Sequence, residues 1–177
     1  ITPDRMVIPP RGLRKGFADL MDAYNSQRVG AATVALGLAQ GAYDLALGYS
    51  QKREQFGRPI AEFQGLHWML ADMRLMIQRA AASAAHSPGG FPDVAMAAQA
   101  KVFASEMAIR VTNDALQVWG AAGYSRNNPM ERYVRDARMF AIAGGTAQIL
   151  RTLVASRILN KKLPQTRDGY LRKDTQG

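Results

Sequence analysis

Residues 131–151 read ERYVRDARMFAIAGGTAQILR: a helical pattern, a Gly-Gly break and a second helical pattern. Just ahead, Asn128-Pro129 predicts the start of the first helix. Asn is a good N-cap, Pro suits the first helical position, and Glu131 stands where a capping-box carboxylate sits. Gly144-Gly145 interrupts the apolar run and leaves the backbone unshielded. Thr146 follows, a residue able to cap the next helix. Such a break lets an anionic or carbonyl-bearing ligand approach a helix N-terminus. It is equally the form of a plain helix–helix turn. The rest of the chain has to decide between the two.

Moving outward, the other long segments are helical as well. From Arg14 to Lys52, Phe17, Leu20, Met21 and Tyr24, then Val29, Val34, Leu38, Ala42, Leu45 and Tyr49, recur at three and four. This spacing predicts one long bent helix, or two with a break at Asn25-Ser26. Gly57 and Pro59 stop it. Phe63, Leu66, Leu70, Met73, Ile77, Ala80 and Ala84 form a bundle seam between Ala61 and His86. Ser87-Pro88-Gly89-Gly90 reads as a turn. A third long helix runs from Pro92 to Trp119, with Phe103, Met107 and Val111 on one stripe and Ala97, Ala100, Ala104 and Ala108 allowing close packing. Gly120 to Tyr124 breaks it. Ile1 to Pro10 reads as extended, like the end of something upstream.

The expected fold class is therefore all-α: an antiparallel four-helix up-and-down bundle with a short extra helix and a flexible C-terminal tail. The expected organisation is a linker over 1–13, the bundle over 14–162 and a polar tail over 163–177. The chain of 177 residues, 47% hydrophobic, suffices for one domain with a full core. It opens without Met and with no recognisable signal segment, as a piece of a longer protein would. No apolar run is long enough to span a bilayer. With no Cys there is no disulfide, thiol nucleophile or thiolate metal site. His67 and His86 have no partners at metal-ligand spacing, so no metal is expected. The net charge of +9 suits an anionic partner such as nucleic acid, phosphate, CoA or acidic lipid. The basic residues are scattered, however, and a solvated surface accounts for them equally well.

The breaks between helices carry a resemblance. REQFGRPI (53–60), QVWGAAGY (117–124), the Asn128-Pro129 start and AGGTAQI (143–149) occur with LADM (70–73) and the run from Gln27 to Gln64. Together they resemble the C-terminal helical domain of the acyl-CoA dehydrogenase family, from about Gly16 to Leu159. The resemblance implies FAD as cofactor and a parent protein with an N-terminal helical domain and a middle β-domain. It implies an acyl-CoA substrate and a homo-oligomer, dimer or tetramer. FAD would lie at the dimer interface, its ADP end touched by the neighbour's C-terminal domain. Electron-transferring flavoprotein is the family's usual electron acceptor. The implied location is the cytoplasm in bacteria or the mitochondrial matrix in eukaryotes; no membrane partner is expected.

Carried over by position, the resemblance implies that Arg53 meets the FAD pyrophosphate, where a guanidinium can bind two phosphate oxygens. Gln55, Phe56 and Gln64 fall at nearby cofactor positions, with Phe56 against the adenosine portion. Gln117, Gly120 and Ala121 match a loop that approaches the pyrophosphate by its backbone; the family commonly has Gly where Ala121 stands. Thr146 and Gln148 match the remaining cofactor contacts. Arg28 matches an Arg beside the acyl-CoA pocket, and Tyr24 stands one turn earlier. Read without the resemblance, Phe56 and Gln64 are packing and capping residues, and Arg28 a surface arginine.

One departure bears on chemistry. Family dehydrogenases remove the thioester α-proton with a carboxylate. The usual Glu position, before Gly-Thr, is Gly144. The other family position, directly before the pocket Arg, is Gln27, an amide that cannot take up the proton. Asp22, Glu54, Glu62, Glu106 and Glu131 match neither position. Three readings follow for the parent: α,β-oxidation of an acyl-CoA with a base from elsewhere; redox-neutral loss of a β-substituent, as in the family's acyl-CoA desulfinases, which also carry Gln; or a non-catalytic FAD-binding or DNA-associated member. Nucleic acid is disfavoured because aromatics are not interleaved with the basic residues. The isolated chain is expected to be inactive and to self-associate.

Overall fold

The computed structural model describes residues 13–84 and 93–163, with side chains over 23–82 and 93–163. The extended reading of residues 1–10, the turn at 87–90, the tail beyond 163, Asp22 and His86 lie outside the described side chains. The expected all-α bundle is present. Helix α1 spans Leu13–Lys52. A two-residue hairpin follows, β1 (Glu54–Gln55) antiparallel to β2 (Arg58–Pro59). After a 3₁₀ turn at Ile60–Glu62 come α2 (Gln64–Ala84), α3 (Val94–Trp119), short α4 (Ala121–Tyr124), α5 (Met130–Phe140) and α6 (Ala147–Ile158). Helix α3 is the hub, packing on α1, α2, α4, α5 and α6.

The main interface, α1 on α3, is built from small side chains. Ala32, Ala35, Ala39, Ala42 and Ala46 are buried at steps of three and four, and Ser50 continues the line. In the same core cluster α3 buries Ala104, Ala108 and Ala115. The seam of α1 is thus alanine, and the larger apolar residues read from the sequence flank it: Leu38, Leu45 and Tyr49 are half-buried, and Val34 is exposed. Small residues win the seam because they let the two backbones approach. Phe103 is likewise displaced from its expected stripe and partly exposed, while Met107 and Val111 are buried. From α2, Leu70, Met73, Ile77 and Ala80 fill the core as their spacing predicts. Buried hydroxyls bond back into their own helices: Ser50 to the Leu47 carbonyl at 2.8 Å and Thr112 to that of Ala108 at 2.8 Å.

Of the two forms open for α1, the single continuous helix is present, with no break at Asn25-Ser26. Asn25 is buried, and its Oδ1 accepts a bond from Arg28 Nη1 at 2.7 Å, so the amide is engaged within the helix instead of competing for backbone. Nor does Asn128 cap α5. Its Nδ2 donates to the Ala122 carbonyl at 2.8 Å, tying the loop to α4, and the residue before α5 is Pro129. Glu131 pairs with Arg135 at 3.6 Å rather than closing a capping box.

Candidate functional site

Two concavities gather most of the residues singled out in the sequence. The first, about 190 Å³, lies where α1 and α3 meet the turn between α5 and α6. Gln27 and Arg28 reach it from α1, Lys101 from α3, and Phe140, Ala143 and Gly144 from the end of α5 and the turn. The turn is closed by a bond from the Ala147 amide to the Ala141 carbonyl at 3.0 Å. Gly144 and Gly145 both have positive φ, 68° and 96°, which glycine adopts without a Cβ penalty. Thr146 caps α6 as expected, its hydroxyl accepting from the Ile149 amide. Gln27 and Gly144, far apart in sequence, face one cavity, and no carboxylate lines it among the described residues.

Lys101 is the residue the sequence reading missed. It is only 1% exposed, and its ammonium donates to the Gly145 carbonyl at 2.7 Å, pinning the glycine turn to α3. Burial pushes its pKa below the ordinary lysine value, and the nearby Arg28 cation lowers it further. Burial also lowers the Arg28 pKa, and the buried Arg28 Nε has no hydrogen-bond partner among the described residues. A signal was present. Lys101 falls four residues after Ala97 and three before Ala104, so it stands on the buried alanine stripe of α3. A lysine on such a stripe has to find a partner inside.

The second concavity, about 320 Å³, lies at the other end of the α1–α3 pair. Arg53, Gln55, Ile60, Gly120 and Ala121 line it. Trp119 places its far wall: the ring stacks on Tyr49 at 4.3 Å, and Nε1 donates to the Leu45 carbonyl at 3.3 Å. Gly120 has φ 57°, and no atom lies within 4 Å of where its Cβ would stand, so the backbone there is open. Arg53 is exposed, and no ion pair involves it among the described residues. An open glycine backbone beside an uncommitted guanidinium fits a phosphate-bearing group.

Other singled-out residues lie outside these walls. Phe56 is 93% exposed at the hairpin tip, edge-on to Phe63 at 6.1 Å. It occupies a left-handed conformation, φ 54°, beside Gly57 at φ 77°. Gln64 opens α2, Gln117 lies on the last turn of α3 and Gln148 on the first of α6, all exposed. Tyr24 is half-buried on α1 and does not line the first cavity. Of the acids, Glu106 is held by Arg151 at 2.6 Å and Glu131 by Arg135, while Glu54 and Glu62 are exposed at the hairpin end.

Residues 14–159 match the family described as acyl-CoA dehydrogenase, C-terminal domain. A 3-sulfinopropanoyl-CoA desulfinase of Cupriavidus necator is 64% identical over 95% of this chain and 43% of its own length. A short-chain specific acyl-CoA dehydrogenase of Clostridium acetobutylicum is 38% identical over 89% of this chain and 42% of its own. The structure of butyryl-CoA dehydrogenase from Megasphaera elsdenii superposes with a TM-score of 0.77 at 36% identity, covering 82% of this chain and 39% of that one. The chain thus spans less than half the length of the curated relatives it matches.

Proposed function

The chain belongs to the acyl-CoA dehydrogenase family, and from that premise we propose that it forms the C-terminal domain of a flavoprotein that removes sulfinate from a short acyl-CoA. The observation that carries this reading is the first cavity. Both positions where the family places its base face it, one as Gly144 and the other as Gln27, with no carboxylate among the described residues on its walls. Removing an α-proton needs an acceptor, and an amide is not one. Losing a β-substituent without net oxidation needs none in that place. The 64% identity to desulfinases supports the same choice over the oxidative one.

The balance is simple. The carbon–sulfur bond breaks, its electron pair stays on carbon, and carbon takes a proton. The sulfur leaves as an SO2 equivalent and gains a water oxygen as sulfite. No external oxidant enters. Within this chain, Gln27 orients the acyl group through its amide, and Arg28 brings positive charge to the same wall. The glycine turn keeps side chains out of the space, and Lys101 holds that turn in place.

Arg53, Gln55 and the open backbone at Gly120 would hold the pyrophosphate side of FAD, with Phe56, Gln64, Gln117, Ala121, Thr146 and Gln148 as further cofactor positions. When bound, FAD supplies an electron-accepting ring. The parent is proposed to assemble as a homo-oligomer, because the second concavity is an exposed half-site on this chain.

The test uses the full-length protein and 3-sulfinopropanoyl-CoA under anaerobic conditions. Equimolar sulfite and propanoyl-CoA without flavin bleaching are expected. Bleaching with release of an enoyl-CoA from a saturated thioester, and no sulfite from the sulfinate, would replace this reading with the oxidative one.

A further inference from the structure

Among the described residues, the first cavity is lined by two cations and nothing acidic. Lys101 lines it with one of three ammonium protons committed to the Gly145 carbonyl, leaving two donors. Arg28 lines it too, with Nη1 on Asn25 Oδ1 and a buried Nε that is unpartnered among the described residues. The other lining groups are an amide, apolar side chains and Gly144. The ion pairs of the described residues all lie elsewhere, at Arg110–Asp114, Arg135–Glu131 and Arg151–Glu106. A buried ammonium with one carbonyl partner and a cationic neighbour is costly, because desolvation and like-charge repulsion act together. A ligand oxyanion on the unspent donors offsets both terms through charge-assisted bonds.

The geometry points to this cavity as an anion subsite, in which Lys101 and Arg28 jointly hold a carboxylate- or sulfinate-sized oxyanion at the end of a short acyl chain. This rests on reading the cavity as the acyl pocket, and not on which bond breaks there. The size agrees. At about 190 Å³ the cavity has room for the end of a short acyl chain with an XO2 head.

The test compares two thioesters of matched length on the full-length flavoprotein, by calorimetric titration without oxygen. Succinyl-CoA ends in a carboxylate and butanoyl-CoA in a methyl. The wild type should favour succinyl-CoA by on the order of tenfold or more. Lys101→Met should weaken succinyl-CoA by a similar factor, about tenfold, and butanoyl-CoA by no more than about twofold. Lys101→Arg should keep most of the preference. Arg28→Gln leaves the bond to the glycine turn alone and should show the same selective loss; if Lys101→Met does not fold, this variant decides. A wild type without preference overturns the subsite. So does an equal loss for both thioesters in Lys101→Met with an unmoved ratio in Arg28→Gln, since Lys101 would then only hold the turn. Sulfite release with an unmoved ratio removes the subsite and leaves desulfination standing. A ratio that depends on Lys101, without sulfite release, keeps the subsite and removes desulfination.

Discussion

Gly144 has nothing within 4 Å of where a Cβ would stand, so space does not exclude a side chain there. The backbone disfavours one: at φ 68°, an L-residue carries a left-handed penalty of roughly 1–2 kcal/mol. Gln27 sits inside regular helix and carries no such penalty. The two positions therefore respond differently to a restored carboxylate. Gln27→Glu in the full-length protein should raise enoyl-CoA formation from a saturated acyl-CoA by about 10²-fold or more, read by product mass. Gly144→Glu should gain less and lower the melting temperature. No gain from either variant would mean that the α-carbon is not presented to this cavity. The resemblance to the family marked residues 27 and 144 as the positions to compare, and that they are Gln and Gly was legible in the sequence. The Lys101 bond to Gly145 was not, because its partners lie on separate elements.

At the scale of elements, the end of α3 shows how a break is positioned. Trp119 locks onto α1 through Tyr49 and the Leu45 carbonyl, and the chain turns at Gly120 into α4. Gly123 is buried in that turn. A Cβ there would stand 2.7 Å from Trp119 Cβ and 3.0 Å from the Leu116 carbonyl oxygen. Gly123→Ala must push backbone against backbone, so we expect a loss of about 1–3 kcal/mol by thermal or urea unfolding. An unchanged midpoint would show that α4 yields. The helices themselves were legible from apolar spacing and glycine breaks. The hairpin at 54–59 was read only as a helix stop, since two-residue strands have no periodicity and its turn places Phe56, where Asn or Asp is usual, at positive φ ahead of Gly57. The apolar residues recurring along α1 did not identify its seam, because spacing alone cannot say which neighbouring stripe faces the hub. Packing chose the alanines.

Across the whole molecule, the two concavities occupy opposite ends of the α1–α3 pair, one with the buried Lys101 and half-buried Arg28, each holding one hydrogen bond, and the other with an exposed, uncommitted arginine. Arg53 has no ion pair among the described residues, so removing it should leave the fold alone and weaken the cofactor. Arg53→Ala in the full-length protein should reduce FAD retention by on the order of tenfold with the apo-protein melting point unchanged, by flavin fluorescence and calorimetry. Full retention would move the pyrophosphate away from this wall. What the sequence determined by itself was local or covalent: where helices run, where glycine and proline break them, and that residues 27 and 144 are not acids. Those follow from residue type and from periods shorter than one helix. The tertiary structure alone decided that Gln27, Gly144 and Lys101 share a wall, that Asn25 orients Arg28 instead of ending a helix, and that an alanine stripe makes the central contact. These depend on which faces of separate helices meet, and that is set by side-chain volumes packed across the core, which no stretch of chain contains on its own.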